Sequence, residues 1–170
     1  MRAVLGWREG RWLKSDQTRR GWLVQTEHGL LGPADLLAPD TKTAQDAPVL
    51  EVAGKPVPMS GEAVQFGEGL VRRNLTIGET QWPDELMRAA DLPEDCVVIG
   101  DRAVPPLPLT AARLTPGKSS WAVDPAVPID VSWHGACVLG RRDGCLIGLL
   151  LVDDDGAKVA LLPPPDPPKP

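Results

Sequence analysis

Short apolar or β-branched runs broken by acid-Gly and similar turns recur along this chain, and period-two alternation dominates over helical spacing. Trp7-Arg8-Glu9-Gly10-Arg11-Trp12 predicts a hairpin around Glu9-Gly10. Gly21-Trp22-Leu23-Val24-Gln25-Thr26 predicts a strand that turns at Glu27-His28-Gly29 and returns through Leu30-Leu31. Pro33-Ala34-Asp35-Leu36-Leu37 reads as a short helical turn ended by Pro39. A polar loop over Asp40 to Asp46 is followed by expected strands at Val49 to Val52 and Ala63 to Phe66, joined across a Gly54-Lys55-Pro56 turn. Gly69 to Ile77 alternates as a strand with Arg72 exposed. One helix is expected after Pro83, where Asp84 and Glu85 suit the helix dipole and Leu86, Met87, Ala89 and Ala90 form an apolar side before Pro93.

From Cys96 onward the pattern is strand again: Cys96 to Ile99, Trp121 to Val123, Ile129 to Trp133, Ala136 to Leu139, Cys145 to Val152 and Lys158 to Leu162. Arg141-Arg142-Asp143-Gly144 and Asp153-Asp154-Asp155-Gly156 are the turns between the last three. Leu146 to Val152 is apolar on both faces, which predicts a central, covered strand. The fold class expected is all-β, with antiparallel strands in one or two small barrels and one short helix. Residues 1–162 form the expected globular unit, divisible into sub-barrels at about 1–80 and 94–162, and 163–170 is a Pro-rich tail of extended type.

Composition sharpens this picture. With 170 residues, 42% hydrophobic and 24% charged, the chain has enough apolar surface for a core without disulfide staples, and 19 Pro with 17 Gly favour short connections over long helices. The net charge of −5 disfavours a general attraction to nucleic acid or anionic lipid. No run reaches the about 20 apolar residues of a membrane helix, and a cytoplasmic location is expected. Cys96, Cys137 and Cys145 are odd in number and lack CxxC spacing, which argues against a disulfide scaffold or structural zinc.

Candidate chemistry is sparse. Cys137 with His134 suggests a thiol and base, yet residues three apart in a strand point to opposite faces unless a bulge intervenes. His28 reads as a turn residue. The consecutive acids of Asp153 to Asp155 lack the alternating ligands and distant Glu of an EF-hand, and Gly67-Glu68-Gly69 lacks the third glycine and following helix of a phosphate cradle. No cofactor or metal is expected. The N-terminal basic residues interleave with tryptophan, so Trp7, Arg11, Trp12 and Trp22 are binding candidates for a peptide or for stacked bases. The same spacing also arises when alternate residues send Trp inward and Arg to water.

Two segments carry a family resemblance. Gly21-Trp22-Leu23-Val24, Gly29-Leu30-Leu31 and Pro33-Ala34-Asp35-Leu36-Leu37 resemble the strand, turn, strand and helical turn that carry the catalytic histidine of trypsin-like serine proteases, especially the HtrA type. His134-Gly135-Ala136-Cys137-Val138-Leu139, with Asp143-Gly144-Cys145-Leu146-Ile147-Gly148-Leu149, is similar to their nucleophile loop and following hairpin. On this resemblance Asp35 stands at the histidine position and His134 at the serine position, with no counterpart of the orienting aspartate. The implied function is a non-catalytic domain that holds a protein or peptide. The alternatives are an active hydrolase with an unrecognised nucleophile and a nucleic-acid-binding β-barrel that uses the basic N-terminal face. Oligomeric state is left open.

Overall fold

The computed structural model describes residues 7–14, 17–38, 49–52, 55–57, 63–77 and 81–164. Side chains are described from Arg20 onward within those stretches, apart from those at 49–51 and 55–57. Two seven-stranded sheets follow one another along the chain, and all pairings between their strands are antiparallel. The first contains β1 (Trp7–Lys14), β2 (Gln17–Thr26), β3 (Gly29–Pro33), β4 (Val49–Val52), β5 (Lys55–Val57), β6 (Ala63–Gln65) and β7 (Leu70–Arg73), in the order β5-β4-β1-β2-β3-β7-β6. Helix α1 (Ala34–Leu37) follows β3 directly. The second contains β8 (Cys96–Ile99), β9 (Leu107–Leu109), β10 (Leu114–Pro116), β11 (Ser120–Val123), β12 (Cys137–Gly140), β13 (Leu146–Asp153) and β14 (Gly156–Leu161), in the order β10-β11-β14-β13-β12-β8-β9. The all-β expectation holds. As its continuous apolar run requires, β13 occupies the centre of its sheet, with Leu146 to Leu150 buried.

Three apolar clusters explain why some strands do not alternate. Leu23, Leu30, Leu36 and Leu37 pack on one face of the first sheet, whereas Val24 and Leu31 pack on the other, against Cys137, Leu146 and Leu149 of the second. Neighbouring residues of β2 and β3 are therefore buried on opposite faces. A third cluster, around Trp121, Val98, Ile147 and Leu150, fills the second sheet. Each such side chain contributes about 1.5–3 kcal/mol when fully buried, so the apolar seam between the sheets outweighs any single polar contact across it.

Several local expectations are corrected. Glu9-Gly10 is not a turn: β1 is continuous from Trp7 to Lys14, and Gly10 pairs with Gly21 on one side and Val52 on the other, so two flanking strands hold it extended. Lys55 and Pro56 belong to a strand, with Val52 opposite Lys55. The strand expected over Gly69 to Ile77 shortens to Leu70–Arg73, and Arg72 is half-buried with its guanidinium 4.7 Å from the Phe66 ring centre. The helix after Pro83 is a single 3-10 turn, Asp84–Leu86, because Met87 bridges to Leu146 and Arg88 N–H donates to Leu146 O at 2.9 Å. The expected strand over Ile129 to Trp133 is instead a 3-10 turn, Val131–Trp133, begun by Asp130 accepting from Ser132 N–H. Among the described residues, no helix is long and apolar enough to cross a membrane.

Candidate functional site at the seam of the two sheets

Asp35 lies in α1, pinned by buried Leu36 and Leu37 on one face of the first sheet. His134 follows the Val131–Trp133 turn and precedes β12 of the second sheet. Although 99 residues apart in sequence, they meet: His134 Nε2 is 2.9 Å from Asp35 Oδ1, with side chains 10% and 34% exposed. The other ring nitrogen, Nδ1, accepts the Val152 N–H at 3.0 Å. A nitrogen that accepts cannot also carry a proton in that bond, so Nε2–H is the donor to Asp35. Both nitrogens of the imidazole are thus committed.

The surrounding backbone is equally committed. Trp22 N–H donates to His134 O at 2.9 Å, Gly135 N–H to Leu150 O at 2.6 Å, and Ala136 N–H to Trp133 O at 3.0 Å. Trp133 and His134 N–H donate back to Asp130 O and Val131 O, each at 3.1 Å, and Ser132 N–H donates to Asp130 Oδ1 at 2.9 Å. Gly135 must be glycine: its φ is +84°, and a Cβ there would sit 2.3 Å from Trp22 O. Behind Asp35, Ala34 N–H donates to Gly69 O at 3.0 Å. The acid beside Gly69, Glu68, turns away to Ser119 Oγ at 2.8 Å and Lys158 Nζ at 3.3 Å, and Ser119 and then Lys158 hold its carboxyl below the usual range.

The thiols face elsewhere. Cys137 is fully buried in the apolar seam, and burial pushes its pKa up to about 12. Cys96, also buried, is pushed up to about 12 by desolvation and then by Glu94 and Asp95. Cys145 is half-buried and raised in the same direction, first by desolvation. Ser132 Oγ is engaged by Asp130 Oδ1.

Against the Val131–Trp133 turn that leads into His134, a cleft of about 300 Å³ opens between Trp22, Trp133, Arg20 and Asp101, with Val104 and Val131 also in its lining and neither Asp35 nor His134 among it. Val131 is 69% exposed and Val104 45%. Trp22 fixes one wall by donating its Nε1–H to Ser132 O at 2.9 Å. Of the four binding candidates that the interleaving of arginine and tryptophan suggests, Trp22 lies in the lining of this cleft. The side chains of Trp7, Arg11 and Trp12 lie outside the described residues, while their backbone register sets Trp7 opposite Val24, Arg11 opposite Arg20 and Trp12 opposite Arg19. Trp133 carries no signal of this role in the sequence, where its neighbours read as a strand; the 3-10 turn is what brings it to the cleft. A larger groove of about 850 Å³, lined in part by Phe66, Met87 and Leu162, likewise includes neither Asp35 nor His134, and it lacks the paired indoles of the smaller cleft.

No protein-family model matches the chain, and no curated protein matches it in sequence. Solved structures do match in shape. The protease of tobacco vein mottling virus superposes with a TM-score of 0.62 at 11% identity, over 96% of this chain and 84% of the viral one. A catalytically inactive tobacco etch virus protease complexed with substrate gives 0.61 at 10% identity, over 92% and 78%. The HtrA-type protease AlgW with a tripeptide gives 0.55 at 14% identity, over 95% of this chain and 57% of AlgW. These likenesses and the antiparallel two-sheet topology together show that the chain has the trypsin-like, all-β fold.

Proposed function

We propose that this protein is a non-catalytic domain that holds a protein or peptide partner on a trypsin-like fold, at the Trp22–Trp133 cleft. The observation that carries this reading is the closed imidazole of His134, with Nε2–H on Asp35 and Nδ1 on the Val152 N–H. By the resemblance, Asp35 takes the position of the base and His134 that of the nucleophile. Acyl transfer needs a nucleophile, a base that can take its proton, and N–H donors aimed at the developing oxyanion. A carboxylate with an imidazole, neither ring nitrogen open, supplies no such nucleophile and base. The backbone N–H groups of Ser132, Trp133 and His134 are spent inside their own turn. The thiols are buried or raised in pKa, which disfavours the reactive thiolate. Two indoles and two exposed valines offer apolar anchorage of the kind a peptide side chain fills.

The test is labelling with a fluorophosphonate and with iodoacetamide, using Cys137→Ala and His134→Ala as controls. The expected result is no fluorophosphonate adduct in the native protein or in an Asp35→His/His134→Ser double variant, whose turn still consumes its own N–H groups. Rapid labelling of the native protein that is lost in either control would overturn the reading. A peptide-array screen completes it, with binding expected to weaken about ten-fold in Trp133→Ala, near the loss of one good anchor. Peptide binding indifferent to Trp133 would move the site elsewhere.

A further inference from the structure

The larger groove, of about 850 Å³, falls within the size range of small-molecule sites. We propose that it binds a medium-chain fatty carboxylate, with the acid group on Arg72 and the hydrocarbon chain along Leu31, Val64, Phe66, Met87 and Leu162.

Charge selects the acid group. Four residues of the groove, His28, Arg72, Asp84 and Arg88, have ionisable side chains, and three of them are already engaged. His28 Nε2 meets Asp84 Oδ2, and the Arg88 guanidinium donates to Glu94 and Asp143. Arg72 has no ionic partner among the described residues; the contact it makes is with the Phe66 ring, 4.7 Å away. Being half-buried, its charge has lost part of its water without gaining an anion in return. The ring face attracts the cation but accepts no ordinary hydrogen bond, so the guanidinium N–H groups remain for a carboxylate, which they can grip with two parallel bonds. Apolar surface begins beside the charge, because strand register sets Arg72 opposite Leu31 of β3 and Val64 of β6.

The walls select a hydrocarbon chain over a peptide. A peptide brings an amide at every residue, and each amide taken out of water needs a partner. Here the donors are spent. The N–H of Phe66 goes to Leu70 O, that of Met87 to Asp84 O, that of Arg88 to Leu146 O and that of Leu162 to Ile147 O, all at 2.9 to 3.0 Å. Pro163 and Pro164 have no N–H. Thr26 Oγ–H donates to Gly29 O at 2.7 Å, and the Gln65 amide to Gly67 O at 3.4 Å. A hydrocarbon chain requires none of these bonds. The rival occupant is an extended peptide added at β6, which ends its sheet.

The experiment separates the two. The full chain, labelled with ¹⁵N, is titrated with decanoate below its micelle-forming concentration, and in parallel with decanol, decyltrimethylammonium and an apolar pentapeptide with a free C-terminus. The expected result is saturable one-site binding of decanoate, with shifts centred on Leu31, Val64, Phe66, Arg72 and Met87. Decanol and the pentapeptide should bind at least about ten-fold more weakly, and decyltrimethylammonium not at all. Arg72→Gln should weaken decanoate binding about ten-fold. Val64→Glu, at a position 41% exposed, should do the same by setting a carboxylate opposite Arg72, with the urea midpoint unchanged. Decanoate binding that is absent, indifferent to either variant, or matched by decanol would overturn the proposal. Tighter binding of the pentapeptide would overturn it in favour of strand addition at β6. None of these results bears on fluorophosphonate labelling or on the Trp133 cleft, so this inference and the proposed function fail separately.

Discussion

The protein holds two histidine–aspartate pairs with the same chemistry in opposite surroundings. His28 and Asp84 meet at 2.5 Å on the surface, with side chains 59% and 49% exposed. His134 and Asp35 meet at 2.9 Å at the seam, with His134 10% and Asp35 34% exposed. The shorter contact is the weaker contributor, because water and salt screen an exposed pair and two mobile side chains must be held in place. The seam pair contributes through what surrounds its buried histidine: a backbone N–H from Val152 on the second nitrogen and the Trp22 N–H on the His134 carbonyl. Removing one member of such a network strands the others. Glu27 stands with the surface pair, a cluster of exposed groups without a buried partner, whereas the seam pair joins two halves of the fold.

The largest effect expected is from Gly135→Ala. It imposes a Cβ on a φ of +84° and against the Trp22 backbone, separating the sheets where the seam pair sits. Urea unfolding should show a loss of about 3–5 kcal/mol. A loss under about 1 kcal/mol would mean that the seam yields easily and that the pair is not held by its surroundings.

His134→Ala set against His28→Ala tests the difference between the two pairs directly. The first leaves the Val152 N–H and the Asp35 carboxylate without their imidazole and should cost about 2–3 kcal/mol. The second should cost less than about 1 kcal/mol. Equal losses would show that burial does not distinguish the pairs.

The smallest effect concerns the thiols. Native Cys96 and Cys137 should resist alkylation that Cys145 accepts slowly, and all three should react once the chain unfolds. The folded pKa values of Cys96 and Cys137, about 12, exceed the unfolded value of about 8.5. The unfolded chain therefore loses protons first as pH rises, so the stability they contribute is whole below about pH 8.5 and declines toward pH 12. A Cys137→Ala variant should flatten that decline. An unchanged slope would assign it to other groups.

Much of the scaffold is legible in the chain. Glu27-His28-Gly29, Arg141 to Gly144 and Asp153 to Gly156 form the expected turns, and the two-faced apolar run from Leu146 is the central strand. Local signals fail where a distant strand captures the backbone. Asp84 and Glu85 begin a helical turn as their charge suggests, but Leu146 draws Met87 and Arg88 into a bridge before a second turn can form. Glu9-Gly10 carries turn chemistry, yet strands on both sides keep it straight.

The site divides in the same way. By itself the sequence determined the all-β class, the short strands between turns, and the absence of histidine and serine from the two places where the resemblance expects them. Only the tertiary structure decided that Asp35 and His134 touch, that Val152 closes the second ring nitrogen, and that Trp133 joins Trp22 as a wall of the cleft. The reason is range: periodicity and turn residues act over a few positions, whereas these contacts join residues 18, 99 and 111 apart, and packing of the two sheets brings them together.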